Sequence, residues 1–270
     1  MNDWLLIPKL KPESSHRLVC FPYAGGTAAT YIRWADWLPD SVELIAVQPP
    51  GRSSHIHVPP CLTMNALVRG AHKALESYLS DKPYSIFGHS LGARVAFELV
   101  KRLERTGCAL PSHLYVSASR APHLTTLRNP SFTLPDEMFL DKMRRMGGMP
   151  DSILRDPEQL ALYLPSLRAD FRIVDTYRGK VSQVPVPIHC FYSRDDEHID
   201  VEDALAWIDY SRCGFSSEEV GGGHFYVNDC AEFWRAFTNT LEQRIREAGS
   251  CPSSGRARNE VKSATGAVRP

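Results

Sequence analysis

The stretch that most constrains this chain is Tyr84-Ser85-Ile86-Phe87-Gly88-His89-Ser90-Leu91-Gly92-Ala93-Arg94-Val95-Ala96-Phe97. It begins as an apolar run with β character, passes through Gly88-His89-Ser90-Leu91-Gly92 and continues with helical periodicity. A Gly-x-Ser-x-Gly pentapeptide between a strand and a helix has the form of a nucleophile elbow. The turn strains the serine backbone, and its neighbours must be small because strand and helix approach closely there. Ser90 Oγ is then predicted to sit at the C-terminal edge of a sheet, above the positive end of the helix that follows.

The flanking chain supplies the rest of such a sheet. Arg17 to Pro22 reads as a buried strand that empties into Tyr23-Ala24-Gly25-Gly26-Thr27. This glycine loop lacks the Lys-Ser/Thr pair of a phosphate loop. After an inner strand of a fold with an elbow, it is where the second oxyanion donor belongs, from the N–H of Ala24. Tyr31 to Leu38 is predicted as a short aromatic helix, Val42 to Val47 as a strand and Thr63 to about Leu79 as an amphipathic helix. The helix after the elbow is predicted over Ala93 to Arg105, capped by Gly107, and His113 to Ser119 is a further strand. Strands resume at Ile188 to Tyr192 and Phe215 to Val220. Helices are expected at Val201 to Tyr210 and Cys230 to Arg246. Alternating strands and helices imply a mainly parallel sheet with helices on both faces.

Residues 121–179 break that rhythm. Short helices are expected at Asp136 to Met146, Asp156 to Leu164 and Leu167 to Tyr177, separated by prolines. An insertion of this kind is usually a lid. Its apolar residues Phe132, Leu134, Met138, Phe139, Met143, Met146, Met149 and Ile153 could line an acyl channel, although packing onto the core is the commoner role. Gly148-Met149-Pro150-Asp151-Ser152-Ile153 is similar to the serine attachment site of phosphopantetheine carrier domains. Its proline-broken flanks supply no helical bundle, so it is discounted. The expected organisation is one α/β domain over residues 1–248, with a helical lid at 121–179 and a disordered tail at 249–270.

Composition limits the function classes. The 270 residues carry 31 Lys+Arg against 31 Asp+Glu, a formal net charge of zero that gives no reason to expect nucleic acid or an anionic membrane as partner. No apolar run approaches a membrane span, and Met1-Asn2-Asp3-Trp4 lacks the layout of a signal peptide. The 7 cysteines are scattered without metal-ligand spacing, which favours reduced thiols and a cytoplasmic setting. No cofactor and no metal are expected.

Three residue types in one order carry the chemistry. Ser90 is followed by an acid after a late strand and then by His224 on a glycine loop, the Ser…Asp…His order of α/β-hydrolases. A serine hydroxyl needs a neutral imidazole to take its proton, and the imidazolium needs a buried carboxylate. Of 10 histidines, His224 alone lies late in the chain on a Gly-rich strand–helix junction. His89 is expected to pack beside the nucleophile, and His198 to lie on the surface.

The chain resembles the type II thioesterases of polyketide and nonribosomal peptide synthesis. The resemblance rests on Phe21-Pro22-Tyr23-Ala24-Gly25-Gly26, Pro50-Gly51-Arg52, the elbow, Leu164-Pro165-Ser166-Leu167-Arg168-Ala169-Asp170-Phe171 and Gly222-Gly223-His224-Phe225, and spans roughly residues 15–245. It implies an α/β-hydrolase fold and hydrolysis of acyl or aminoacyl thioesters on the phosphopantetheine arm of carrier proteins. The partners would be acyl or peptidyl carrier proteins of a polyketide, nonribosomal peptide or fatty acid synthase, met by a monomer. It also implies Ser90, Asp196 and His224 as catalytic residues and the N–H groups of Ala24 and Leu91 as oxyanion donors. Related hydrolases carry a Gly-x-x-Asp turn before the acid. Ser193-Arg194-Asp195-Asp196 laid on that turn puts the acid at Asp196 and leaves Asp195 on the turn. Two departures from the pattern, Ser53 after Pro-Gly-Arg and Ser193 in place of glycine, bear on substrate preference. Alternatives are a medium-chain acyl carrier protein thioesterase, an esterase or acyltransferase using the same triad on small free esters or thioesters, and a hydrolase-fold protein that only binds a partner.

Overall fold

The computed structural model describes residues 4–124, 130–148, 153 and 155–250. Its seven strands are β1 (Leu5–Leu6), β2 (His16–Phe21), β3 (Val42–Val47), β4 (Tyr84–His89), β5 (Leu114–Ser117), β6 (Ile188–Tyr192) and β7 (Phe215–Glu219). They form one sheet in the order β1-β3-β2-β4-β5-β6-β7. Every pair is parallel except β1 with β3. This is the α/β-hydrolase arrangement expected from the sequence. The two-residue edge strand β1 was not, because two residues carry no periodicity.

Strands β2 to β5 are buried along their whole length, so both faces of the sheet must be covered. Alternation along each strand decides what covers which face. Val19, Ile45 and Ile86 pack with Leu67, Val68, Phe97 and Val100 of helices α2 (Met64–Leu75) and α3 (Leu91–Thr106). Leu18, Leu44 and Phe87 pack on the other face with Trp34, Phe233 and Phe237. Trp34 lies in the short α1 (Trp34–Trp37), and the two phenylalanines in α7 (Ala231–Ser250). Helix boundaries follow local chemistry. Thr63 Oγ1 accepts the Ala66 N–H at the start of α2, and Gly107 closes α3 in a left-handed conformation.

Several elements differ from expectation. The Tyr31–Leu38 segment is a 3₁₀ turn at Ala28–Tyr31 followed by α1, and Val201–Tyr210 is a short α6 (Val201–Leu205) continued as 3₁₀ to Tyr210. Helix α7 continues to Ser250, into the segment expected to be tail; residues 251–270 lie outside the described residues, as do Met149 to Ser152 of the discounted carrier-like motif.

Between β5 and β6 the described residues contain α4 (Asp136–Met146) and α5 (Pro157–Thr176). The two helices expected at 156–164 and 167–177 are thus one, running through Pro165. Its start is well specified, since the Asp156 carboxylate accepts the N–H groups of Glu158 and Gln159. Pro165 removes one intrahelical hydrogen bond, a penalty of about 3 kcal/mol in a helix interior. Burial of Leu167, Phe171 and Ile173 offsets that penalty, and Ser166 Oγ donates to the Tyr163 carbonyl at 2.9 Å beside the break. Phe139, Met143, Leu167 and Phe171 form a small core of their own between α4 and α5.

Candidate active site

Ser90 stands between the end of β4 and the first turn of α3, with φ 54° and ψ −114°, a conformation that L-residues avoid. The two glycines of the pentapeptide explain how it is held. A Cβ on Gly88 would lie 2.3 Å from the Gly92 carbonyl oxygen, and one on Gly92 would lie 2.2 Å from that of Phe21. Strand β4, the first turn of α3 and the end of β2 therefore touch backbone to backbone. The Ser90 N–H donates to the Ser117 carbonyl at 2.8 Å, which ties the strained turn to β5.

Two loops at the same edge of the sheet bring the other groups. After β6, Asp196 turns inward and Asp195 outward. The buried Asp196 accepts the N–H groups of His198 (2.8 Å) and Ile199 (3.2 Å) on Oδ1, while Asp195 is exposed. Between β7 and α7 lies His224, whose Nδ1 is 2.7 Å from Asp196 Oδ2 and whose Nε2 is 3.1 Å from Ser90 Oγ. An ionised carboxylate only accepts, so Nδ1 carries the proton and Nε2 is left to accept from the serine. Ser193, one of the two departures from the family pattern, joins these loops: its hydroxyl donates to the Gly222 carbonyl at 2.5 Å and accepts the Asp195 N–H.

His89 packs beside Ser90 as expected. It is fully buried, which drives its pKa well below the usual histidine range and leaves it neutral. Its Nε2 donates to the His224 carbonyl at 2.8 Å and its Nδ1 accepts from Ser117 at 2.9 Å. His89 thereby fixes the backbone of the His224 loop. His198 corrects the surface expectation. Its ring lies edge-on to His224 at 5.3 Å, its carbonyl accepts from Arg120 at 2.7 Å, and it lines the cavity over Ser90. Following so closely after Asp196, it is carried back over the His224 ring by the same turn that presents the carboxylate.

The glycine loop after β2 also reaches this edge. Gly26 donates to the Tyr23 carbonyl at 2.9 Å and Gly25 to Asp170 Oδ2 at 2.8 Å. The N–H groups of Ala24 and Leu91 make no hydrogen bond among the described residues, and both residues line the cavity. Sequence reasoning assigned no role to the pair that braces this loop. Arg52 is bidentate to Asp170, at 2.5 and 2.8 Å, and donates to the Gly26 carbonyl at 3.1 Å. Both residues stood within the family-like blocks, and that membership was the one signal the sequence offered.

Ser90 and His224 line a cavity of about 410 Å³. Of the proposed channel residues, Met143, Met146 and Ile153 line it. Phe139 is spent on α4–α5 packing, Met138 is exposed, and Met149 lies outside the described residues. Among the described residues no group of His, Cys, Asp or Glu could hold a metal ion, and no helix is long and apolar enough to cross a membrane.

Comparison with known proteins gives the family. The thioesterase domain family model matches residues 16–245. The thioesterase PikA5 of Streptomyces venezuelae is 34% identical over 245 residues, 90% of this chain and 85% of its own. The gramicidin S biosynthesis protein GrsT of Aneurinibacillus migulanus is 30% identical over 228 residues, 84% of this chain and 89% of its own. Among solved structures, the RedJ thioesterase of the prodiginine pathway in Streptomyces coelicolor superposes with a TM-score of 0.79 at 34% identity, covering 87% of each chain. With the elbow, the parallel sheet and the family match all falling on the same 230 residues, the chain belongs to the thioesterase domain family.

Proposed function

We propose that this protein is a serine thioesterase that hydrolyses acyl or aminoacyl thioesters from the phosphopantetheine arm of carrier proteins, clearing mis-primed or stalled polyketide or nonribosomal peptide synthases. The observation that carries the reading is the Ser90–His224–Asp196 contact chain on the wall of a cavity of about 410 Å³. The relatives named for gramicidin S biosynthesis and the prodiginine pathway support the synthase setting.

In this reading Ser90 Oγ attacks the thioester carbonyl while His224 Nε2 takes its proton. Asp196 stabilises the imidazolium through Nδ1–H. The oxyanion accepts from the N–H groups of Ala24 and Leu91, at the positive end of α3, where preorganised donors act most strongly on developing charge. His224 returns the proton to the departing pantetheine sulfur, and water then repeats the sequence on the acyl-serine. Helices α4 and α5, in the lid at 121–179, enclose the acyl group, with the carrier staying outside.

A panel of acyl-, aminoacyl- and peptidyl-carrier proteins assayed beside the matching free thioesters tests the proposal. Carrier-bound substrates should show the higher kcat/KM. Equal or faster turnover of small free thioesters would favour a general esterase, and activity confined to medium-chain acyl carriers would favour the fatty acid synthase role.

A further inference from the structure

Among the described residues, one buried cation on the cavity wall has no carboxylate within ion-pair distance. Arg94, four residues beyond Ser90 on α3, lines the cavity and is only 6% exposed. A guanidinium has five N–H donors. Among the described residues Arg94 spends one of them, on the Leu124 carbonyl at 3.4 Å, and its charge lies 5.7 Å from the Tyr177 ring. No carboxylate among the described residues pairs with it. The protein's other buried arginines behave differently. Arg52 is bidentate to Asp170, and Arg17 bonds Glu43, Asp81 and the Tyr78 carbonyl. Burial, with a smaller push from the Arg120 charge, lowers the Arg94 pKa to about 10 despite the more distant Asp203 carboxylate, whereas for Arg17 the hydrogen bonds it donates to Asp81 and Glu43 outweigh burial and raise it.

Burying a charge without an ion-pair partner is costly, and the Tyr177 ring, the Leu124 carbonyl and the more distant Asp203 carboxylate offset only part of that cost. Its remaining nitrogens are not among the side-chain atoms sealed in the interior without a partner, so the guanidinium opens on the cavity. Of the other charged groups there, Lys142 donates to Ser131 Oγ, Asp175 accepts the N–H groups of Ser131 and Phe132 on Oδ2 while its buried Oδ1 has no hydrogen bond, and Arg120 faces Asp203 at 3.6 Å and donates to the His198 carbonyl. Glu197, the remaining carboxylate on the cavity wall, is exposed to solvent. A carrier-tethered arm must come from solvent, so the deeply buried Arg94 faces what lies beyond the thioester carbonyl.

We propose that Arg94 is a specificity-determining subsite for an oxygen acceptor carried on the acyl group, a carboxylate or a chain ketone. The inference rests on the thioesterase reading above. An acyl group bearing such an oxygen would supply the partner that the fold withholds, and a plain alkyl chain would leave the cation unpaired. A charge-assisted hydrogen bond of this kind is worth about ten- to a hundredfold in selectivity.

The test uses matched sets of pantetheine thioesters: malonyl, glutaryl and adipyl, each beside the alkyl acyl thioester and the keto-acyl thioester of the same length. The readout is the kcat/KM ratio of the oxygen-bearing member to the alkyl member, in which any general loss of activity cancels. The wild type should favour an oxygen-bearing member by roughly tenfold or more in at least one set. Arg94→Met should abolish that preference, and Arg94→Lys should keep part of it for carboxylates and less for ketones. A wild type indifferent to the oxygen in every set, or a preference surviving in Arg94→Met, overturns the proposal. If the wild type hydrolyses none of the compounds, alkyl ones included, the hydrolase reading has failed separately. Arg94 is then judged by calorimetric binding of the same thioesters to Ser90→Ala. Oxygen-dependent affinity lost on adding Arg94→Met supports the subsite, and its absence overturns it.

Discussion

Asp196→Asn is the change whose consequence the site geometry specifies most fully. Asp196 Oδ1 accepts two backbone N–H groups and Oδ2 accepts His224 Nδ1–H. An asparagine has one acceptor oxygen, and the two fixed N–H donors claim it. Its amide NH₂ then faces His224, which must turn Nδ1 into an acceptor and move its proton to Nε2. That proton points at Ser90 Oγ across 3.1 Å, so the imidazole can no longer take the serine proton. Loss of the correct tautomer costs about 10⁴ in kcat in the serine-protease case, equivalent to roughly 5.5 kcal/mol of transition-state stabilisation, and a similar fall is expected here. Because both backbone bonds survive, the thermal midpoint should move by only a few degrees. Asp195→Asn is the control: that side chain is exposed and should lose no more than about threefold, since surface substitutions of this kind are nearly neutral. Steady-state hydrolysis of an acyl-pantetheine thioester, with circular dichroism on each variant, checks both. Asp196→Asn retaining more than about a tenth of kcat, or Asp195→Asn falling beside it, would refute the reasoning.

Two further predictions concern the fold around the site. Gly92→Ala places a Cβ 2.2 Å from the Phe21 carbonyl oxygen, a backbone atom of a central strand that cannot step aside, so a loss of about 2 kcal/mol or more is expected; an unchanged urea midpoint would contradict the packing described. His16, His113 and His189, near the start of β2, β5 and β6, are held neutral, burial being the chief cause of pKa values lowered from 6.5 to about 4. The unfolded chain therefore binds protons first. Stability should be complete above pH 6.5 and fall as the pH drops towards 4, each histidine adding a slope of about 1.4 kcal/mol per pH unit within that window. Urea midpoints that stay level from pH 7 to pH 5 would sink this, and His189→Gln should flatten the slope.

How much of this was legible beforehand depends on how local each feature is. The elbow is written in five consecutive residues, and the glycines that the backbone contacts require are in the sequence itself. The parallel sheet was readable because its inner strands are buried on both faces and carry short apolar runs, whereas the edge strand β7, Phe-Ser-Ser-Glu-Glu, is partly exposed. Asp196 could be separated from Asp195 only through the resemblance, by laying Ser193-Arg194-Asp195-Asp196 on the Gly-x-x-Asp turn of related hydrolases. Features that depend on distant partners were not readable. Pro165 looks like a helix break until the burial of Leu167 and Phe171 on one side of it is known. Nothing near Arg52 in sequence announces Asp170, 118 positions away. The place of His198 against His224 depends on two loops meeting, which neither loop states alone.

The central claim is that Ser90 carries the acyl group between carrier and water. Rapid mixing of the protein with an acyl-carrier protein, acid quench and peptide mass mapping tests it directly. The account predicts a transient mass increment equal to the acyl group on the peptide containing Ser90, followed by release of free acid. Ser90→Ala should show no increment and a kcat lower by about 10⁶. Acid released by Ser90→Ala at more than a few per cent of the wild-type rate, or an acyl group mapped to any other residue, would contradict it.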